Sequence, residues 1–179
     1  MKKKEEYAIV LDYLSNGYPL EGKFMPVAQA IGEESFTLLE LSPRKGMELS
    51  LGERVYIGEG KRDKIYYILG RLRREKLTET SKQQLTEFIS KSVKEREQEF
   101  VDFFNKAEAI NTRLHQLELL PGFGRKHTKE VIEKRKDAPF SSFEDIKNRI
   151  PNIPDPERAI EKRIMEELTN IERHNLFIQ

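Results

Sequence analysis

LELLPGFGRKHTKEVI, residues 117–132, is the stretch of sequence that decides the fold of the C-terminal part. Leu117, Leu120 and Phe123 are spaced to pack inward and hold two helices together. The two glycines permit a tight turn with positive φ. The free amide groups at the start of the second helix then point outward, at the positive end of its dipole. Such groups bind anions, and as main-chain donors they would hold a phosphate backbone without reading a base.

Basic residues surround this turn. Residues 121–136 contain six basic side chains against two glutamates. Lys126 and Lys129 lie in the first turns of the helix predicted at 125–136, where a positive charge opposes the helix dipole. Helix stability therefore does not explain them, whereas contact with phosphate does. The candidate phosphate-binding residues are Gly122, Gly124, Arg125, Lys126 and Lys129.

Short strands are predicted in the N-terminal part. Tyr7, Ile9, Leu11 and Tyr13 alternate with other residues, which is typical of a strand with one buried face. Turns that contain Gly or Pro separate the later runs. Five strands within residues 1–80 favour a small closed or nearly closed barrel, and by analogy an OB-like one. The other strands are predicted at residues 23–30, 35–41, 54–57 and 64–69.

The apolar spacing becomes helical from residue 81 onward. Ser81 and Gln84 form a capping-box pattern, which predicts the start of a long helix. Three phenylalanines near its end, Phe100, Phe103 and Phe104, are expected to dock it on the helices that follow. Those helices are short and are separated by Pro and Gly. They are predicted at residues 112–119, 125–136, 143–149 and 157–172, with Ser142 capping the third.

A second basic cluster occupies residues 61–74, which hold six basic residues and one aspartate. Tyr66 and Tyr67 lie among them, and this mixture suits a barrel face that stacks bases and follows phosphates. The alternative is an ordinary strand followed by solvated charge. Since neighbours on a strand alternate, one tyrosine is expected to point inward and one outward. The candidate residues here are Lys61, Arg62, Lys64, Tyr66, Arg71, Arg73 and Arg74.

Composition excludes several classes of protein. The net charge is only +1, so any basic surface must be local. The absence of cysteine excludes a disulfide scaffold and thiolate metal sites, and fits a reducing cytosol. No apolar run approaches the ~20 residues of a membrane span, so no membrane partner is expected. The sequence contains neither the spacing of a catalytic nucleophile and its base nor a glycine-rich phosphate-binding loop. It therefore does not indicate an enzyme.

Metal chemistry has little support in the sequence. His127 and Glu130 have the spacing of metal ligands on a helix, but one pair makes no site, so no transition metal is expected. His127 is instead expected to lie exposed on the first turn of its helix. A nuclease would need Asp12, Glu53 and Asp63 to converge, and we interpret these acids as solvated loop and edge residues.

Residues 110–146 resemble the paired helix-hairpin-helix modules of DNA-uptake and repair proteins. The resemblance runs from Ile110-Asn111-Thr112 through the glycine turn to Pro139-Phe140 and Ser142-Phe143-Glu144-Asp145-Ile146. It implies that the amides of Gly122, Gly124 and Lys126, helped by the Arg125 and Lys126 side chains, hold phosphates. It also implies that hairpin carbonyls can hold a monovalent cation.

The sequence departs from that family at two places. Thr128 stands where the family usually has Ala, a small packing residue. In the second hairpin, expected at residues 150–156, Asn152 and Pro154 replace both glycines. Pro154 has no N–H to donate, so we expect this copy to be structural.

Over its full length the sequence also resembles the archaeal domain-of-unknown-function family 655. The resemblance implies an α+β protein: an OB-like barrel in residues 1–80, a connecting helix in 81–110, and an all-α paired helix-hairpin-helix domain in 111–179. The resemblance also implies a place among translation genes, which favours RNA over DNA. We therefore expect a non-enzymatic protein that grips an RNA or DNA backbone with little sequence specificity. The alternatives are an adaptor for ribosomal or transcription proteins, and a repair nuclease.

Overall fold

The computed structural model describes residues 3–179, and this part of the chain has mixed α+β architecture, as predicted. None of its helices is both long and apolar enough to cross a membrane. The strands are β1 (Tyr7–Leu14), β2 (Val27–Gly32), β3 (Leu38–Pro43), β4 (Arg54–Tyr56) and β5 (Ile65–Arg71). The α-helices of the described part are α1 (Glu79–Glu95), α2 (Glu97–Lys106), α3 (Arg125–Asp137), α4 (Phe143–Arg149) and α5 (Pro156–Thr169).

The strands form one antiparallel sheet in the order β4-β1-β2-β3-β5. β1 to β3 pair consecutively and β4 returns to lie beside β1, which is a Greek-key arrangement. Within residues 3–179, β4 and β5 have one neighbour each. The sheet is therefore a curled half-barrel, not the closed or nearly closed barrel predicted. Closure would need a ladder between β4 and β5, and β4 is only three residues long.

Two strands begin later than predicted because hydrogen bonds hold the preceding residues in turns. Before β2, Tyr18 and Lys23 exchange backbone hydrogen bonds of 2.7 and 3.1 Å around the 3-10 turn at Pro19–Glu21, which holds Lys23 in the loop. Before β3, the Glu5 carboxylate accepts the backbone N–H groups of Glu34 and Ser35, both at 2.8 Å. The alternation of apolar residues does not reveal these hydrogen bonds, so it could not predict where either strand begins.

The core face of β1 is not the predicted one. Ala8 and Val10 are fully buried, whereas Tyr7 and Ile9 are only partly covered. A β-bulge after Val10 shifts the register with β2, and Leu11 becomes fully buried. A bulge breaks the two-residue alternation, so the pattern could not identify the buried face. The remaining buried members of this core are Ala28, Ala30, Leu39, Leu41, Leu49, Val55, Ile57 and Ile65.

A buried amide joins the sheet to the start of α1. The Gln29 side chain, on β2, is fully buried. Its Nε2 donates to the Lys76 carbonyl at 2.7 Å and to the Tyr18 hydroxyl at 3.2 Å. Its Oε1 accepts from the Thr78 N–H at 3.1 Å and from the Ser81 hydroxyl at 2.6 Å. All the hydrogen-bonding capacity of this amide is therefore used inside the fold.

The predicted cap of α1 is wrong, because the helix begins at Glu79, before Ser81. The Thr78 hydroxyl accepts the Ser81 N–H at 3.0 Å and donates to the Asp12 carboxylate at 2.6 Å. Thr78 thus occupies the capping position, and Ser81 lies buried inside the first turn. The serine hydroxyl is bound by Gln29 instead of capping the helix.

The single long helix predicted after residue 81 is two helices. The backbone leaves helical geometry at Arg96, whose guanidinium makes a two-pronged hydrogen bond to Glu99, both distances 2.8 Å. In the next turn, Glu97 accepts the N–H of Phe143 at 3.0 Å. Neither Pro nor Gly marks the break, so the sequence carried no signal for it. Phe100 and Phe104 are buried, as predicted, whereas Phe103 is only partly buried.

The later helices follow the prediction except for the first of them and the end of the last. The helix predicted at 112–119 is only a 3-10 turn, Gln116–Leu119. The Ser142 cap is confirmed, since its hydroxyl accepts the Asp145 N–H at 2.9 Å. α5 ends at Thr169, before the predicted end at residue 172. The buried Glu167 carboxylate, in the last turn of α5, accepts the backbone N–H groups of Leu176, Phe177 and Ile178, at 2.6, 2.9 and 2.9 Å.

The chain divides into two compact units. One comprises the sheet and the first part of α1, up to Phe88, together with Glu167–Gln179. The other is Ile89–Glu166 and contains the glycine turn at residues 120–124.

Candidate nucleic-acid interface

The turn at residues 120–124 has the predicted positive φ at Gly122 but not at Gly124, whose φ is −110°. Gly122 has φ +84°, a conformation that favours glycine. The Phe123 N–H donates to the Leu120 carbonyl at 3.0 Å, which closes the turn. Leu117, Leu120 and Phe123 are all buried, as predicted. The turn is therefore anchored by its apolar residues and presents its glycines outward, where both are exposed.

The first amides of α3 are not bonded within the described part of the chain. Gly124 is the N-terminal cap residue and has no side chain to bond the helix start. The first helical bond runs from the Thr128 N–H to the Gly124 carbonyl at 3.0 Å. Within residues 3–179, the N–H groups from Gly124 to His127 donate to no protein acceptor. The first turn also contains no acidic residue that could supply a carboxylate.

Free cations flank these amides. Lys126 and Lys129 are exposed, and neither makes an ion pair or a hydrogen bond in the described part of the chain. Arg125 is 87% exposed at its side chain, and its Nε lies 4.0 Å from Glu118, too far for a hydrogen bond. A cleft of about 400 Å³ runs beside α3. Its lining residues are Lys126, Lys129, Glu130, Glu133, Lys134, Arg149, Ile150 and Pro151.

Two arginines in this region have structural partners. Arg135 donates to the carbonyls of Phe104 at 3.1 Å and Ala107 at 2.8 Å, at the end of α2. Arg149 donates to the carbonyls of Lys134 at 2.6 Å and Ala138 at 2.8 Å, at the end of α3. A guanidinium stabilises a helix C-terminus in this way. Arg125, Lys126 and Lys129 lie in the first turns of α3, and the exposed Lys134, which also lines the cleft, lies in its last turn.

The turn at residues 150–154 repeats the backbone of the first turn. Asn152 has φ +65°, which asparagine tolerates, and the Ile153 N–H donates to the Ile150 carbonyl at 3.3 Å. The residues that precede the two helices differ, because Gly124 has no side chain and Asp155 has a carboxylate. Asp155 Oδ1 accepts the Arg158 N–H at 3.2 Å, so a carboxylate of the chain already lies at the start of α5. Sequence reasoning missed Asp155, although an aspartate directly before Pro156 is a recognisable helix-start signal.

His127 is half-buried, not exposed as predicted. Its ring packs against Phe123, with centroids 6.0 Å apart, and its Nδ1 lies 3.5 Å from Glu130. The predicted spacing therefore brings this pair together, but no group of three or more metal-ligating side chains exists in residues 3–179. Asp12, Glu53 and Asp63 likewise form no such group. Thr128 is buried, as expected of a packing residue, and its hydroxyl has no partner.

Both tyrosines of the second basic cluster are exposed. Tyr66 and Tyr67 are 64% and 48% exposed, which contradicts the expected one-in, one-out arrangement. The register between β3 and β5 shifts here: Tyr67 faces Ser42 and Ile65 faces Pro43, which leaves Tyr66 as an extra residue. An extra residue in one strand breaks the alternation, and both rings then reach solvent.

The basic residues of this cluster divide into bound and free side chains. Lys64 forms an ion pair with Glu53. Arg62 donates to the Gly58 carbonyl at 2.8 Å, and Arg74 donates to the Asn170 carbonyl. The others are exposed and make no hydrogen bond or direct ion pair in the described part of the chain. These are Lys61, Arg71 and Arg73.

The 3-10 turn before the glycines carries a pH-sensitive cap. His115 Nδ1 accepts the Leu117 N–H at 3.1 Å, which only an unprotonated nitrogen can do. Burial, and then the positive charge of Arg135, lower the pKa of His115. The unfolded chain therefore takes up the proton first as the pH falls below about 6.5. This cap's contribution is complete above that pH and decreases as the pH falls towards the lowered pKa.

We predict that acidification from pH 7 to pH 5 destabilises the wild type more than His115→Asn. Asparagine is also a good cap but does not titrate in this range, and the cap is worth about 0.5–2 kcal/mol. Urea unfolding of both proteins across the pH series measures the difference. Parallel stability curves would contradict the assignment.

Comparisons with known proteins place the chain in a family. A family model described as a protein of unknown function, DUF655, matches residues 4–179, and the chain belongs to that family. An uncharacterized protein of Methanocaldococcus jannaschii is 43% identical over 177 residues, which are 99% of this chain and 80% of that protein. The crystal structure of a DUF655 protein from Archaeoglobus fulgidus is 46% identical and has a TM-score of 0.83. The match covers 98% of this chain and 100% of that one.

Proposed function

We propose that this protein is a non-enzymatic, cytoplasmic nucleic-acid-binding protein that grips the phosphate backbone of RNA or DNA with little sequence specificity. The observation that carries the proposal is the helix start at Gly124–His127. Its amides have no protein acceptor, and two unpaired lysines, Lys126 and Lys129, lie beside them. Main-chain donors at a helix N-terminus, together with lysines, suit phosphate oxygens and carry no base preference.

The architecture supports this proposal in two ways. The repeated turns at 120–124 and 150–154 are what a paired helix-hairpin-helix domain would contain, although a 3-10 turn precedes the first of them. A Greek-key half-barrel of five strands suits an OB-like fold, which is a partly open Greek-key barrel. We propose both assignments as part of the same interpretation. A monovalent cation at the hairpin carbonyls belongs to it as an expectation of the helix-hairpin-helix family.

A salt series tests the proposal most directly. The wild type should bind duplex DNA and structured RNA at low salt and release them as salt rises. We predict that Lys126→Glu/Lys129→Glu weakens binding by about a hundredfold or more, since two charged hydrogen bonds are lost and each contributes about 1.5–3 kcal/mol. Loss of two phosphate contacts should also make the slope of log K against log salt shallower by about 1.8 for duplex DNA. Fluorescence anisotropy with labelled duplexes measures both quantities.

A charge-matched control separates a site from a general effect of charge. Lys91 and Lys94 are also exposed, lie three residues apart on a helix, and are far from the glycine turn in sequence. Lys91→Glu/Lys94→Glu changes the net charge equally and should leave affinity near that of the wild type. Equal losses in the two double variants, or no loss in either, would refute the assignment to α3.

An adaptor for ribosomal or transcription proteins is the second candidate. The loop between β1 and β2 exposes three apolar side chains: Leu20, Phe24 and Met25 are 104%, 68% and 80% exposed. Apolar side chains that cluster at a surface suit a protein partner. This candidate predicts no mobility shift with any nucleic acid at low salt, and loss of a defined protein partner in Phe24→Ser/Met25→Ser.

A further inference from the structure

β5 carries an exposed patch of two tyrosines and a leucine, which plays no part in the phosphate contacts proposed at α3. Tyr66, Tyr67 and Leu69 are 64%, 48% and 47% exposed. The two tyrosine rings meet edge to face, with centroids 5.3 Å apart and planes at 73°. In this geometry the edge of one ring covers the other, so at least one broad ring face remains open. An isolated exposed side chain needs no explanation, but three within one short edge strand do.

Two irregularities of the sheet turn these side chains outward. Tyr66 is the extra residue between the pairs Tyr67–Ser42 and Ile65–Pro43. Leu69 is the extra residue between Gly70 and Ile68, which pair with consecutive residues of β3. Bulges re-aim side chains and limit further strand pairing at an edge. The bulged edge of β5 is thus poorly suited to receive another strand but well suited to display rings.

The charge around the patch favours a polyanion. Lys61 lies before β5 and Arg71 at its end, and both are exposed and unpaired in the described residues. Aromatic rings between free cations are the combination that binds single-stranded nucleic acid, because bases stack on the rings while phosphates meet the cations. A duplex offers no unstacked base to such a surface.

The usual base-binding face of an OB-like fold is not open in this sheet. That face is formed by the second and third strands. All six residues of β2 are buried here, and Gln29 on β2 is bonded to the start of α1. A base would therefore meet exposed aromatic rings at β5 and not at β2.

We propose that Tyr66 and Tyr67 form a stacking platform for unpaired nucleotides, so that the ligand class includes single-stranded RNA or DNA. This inference rests on the proposed nucleic-acid-binding function and adds a second mode of contact to it. The backbone grip at α3 serves paired or unpaired strands alike, whereas the tyrosine pair serves only unpaired bases.

The test compares single strands with a duplex of the same sequence. Single-stranded RNA and DNA oligonucleotides and the blunt duplex are each measured against the wild type, Tyr66→Leu/Tyr67→Leu and Tyr66→Phe/Tyr67→Phe. The Leu variant should bind single strands at least about fivefold more weakly, the lower end for one lost base–aromatic stack, and bind the duplex unchanged. The Phe variant keeps both rings and should match the wild type.

A fluorescent base gives an independent readout. 2-Aminopurine in the oligonucleotide should be quenched on binding to the wild type and Phe variant but not to the Leu variant. Loss of tyrosine emission can be followed directly because the chain has six tyrosines and no tryptophan. If the duplex binds but the Leu variant holds single strands as tightly as the wild type, the platform is refuted and the backbone grip stands. If the wild type binds neither ligand, both proposals fail.

Discussion

Replacing Gly124 with aspartate is expected to weaken nucleic-acid binding by about tenfold to a hundredfold, the equivalent of one charged hydrogen bond lost, without destabilising the protein. Asp155 at the start of α5 shows the physical reason, because its carboxylate accepts the backbone N–H of Arg158 in the first turn of that helix. An aspartate at Gly124 would do the same at α3. The carboxylate would then occupy the position proposed for phosphate and repel a second anion.

The stability expectation is what makes this substitution informative. Gly124 has φ −110°, and a Cβ added there would meet no atom within 4 Å, so a side chain fits without strain. Aspartate is a better helix cap than glycine by a few tenths of a kcal/mol, and its charge favours the helix N-terminus. The melting temperature should therefore stay level or rise while affinity falls. Unfolding could not then explain the loss of binding.

Gly124→Asn is the matched control. It has nearly the same shape and capping ability but no charge, so it should reduce affinity less than Gly124→Asp. Anisotropy titrations and thermal melts of the three proteins give both quantities. If the aspartate variant binds as tightly as the wild type, phosphate does not contact this helix start.

The local elements could be predicted where the chain follows short-range rules. Gly122 needs its positive φ, Ser142 caps α4, and Leu117, Leu120 and Phe123 are buried as their spacing indicates. Each of these features depends on residues within a few positions of one another. Their physical causes are therefore visible in the sequence.

What sequence reasoning missed depends on partners that are distant along the chain. Ser81 is not a cap because Gln29, 52 residues away, binds its hydroxyl. Tyr66 is exposed because β5 slips against β3, and a bulge has no reliable mark in the sequence of one strand. The net basic charge of residues 121–136 also overstated what a ligand can reach, since Arg135 is bonded to carbonyls of α2.

Gln29→Leu is expected to destabilise the unit that contains the sheet by about 3–5 kcal/mol. Leucine is close in size, so the loss would come from polar partners left behind and not from a cavity. The Lys76 carbonyl, the Thr78 N–H and the Ser81 hydroxyl would each lose a bond of 2.6 to 3.1 Å. An unsatisfied buried group costs about 1–3 kcal/mol, and three such groups reach the upper range of single-residue effects. Urea unfolding followed by circular dichroism measures the change.

Two further substitutions apportion this loss within the network. Burial raises the pKa of Tyr18 to about 12, and its hydroxyl accepts from Gln29 at 3.2 Å and is hydrogen-bonded to the Glu40 carboxylate. Tyr18→Phe removes both bonds and should cost about 1–3 kcal/mol, at about 0.5–1.5 kcal/mol for each hydrogen bond. Gln83→Leu, at an exposed position of α1, should change stability by less than about 0.5 kcal/mol. If Gln29→Leu cost no more than Tyr18→Phe, the bonds from Gln29 to α1 would not be what holds that helix on the sheet. The start of α1 would then depend on other contacts, among them the bond from Thr78 to Asp12.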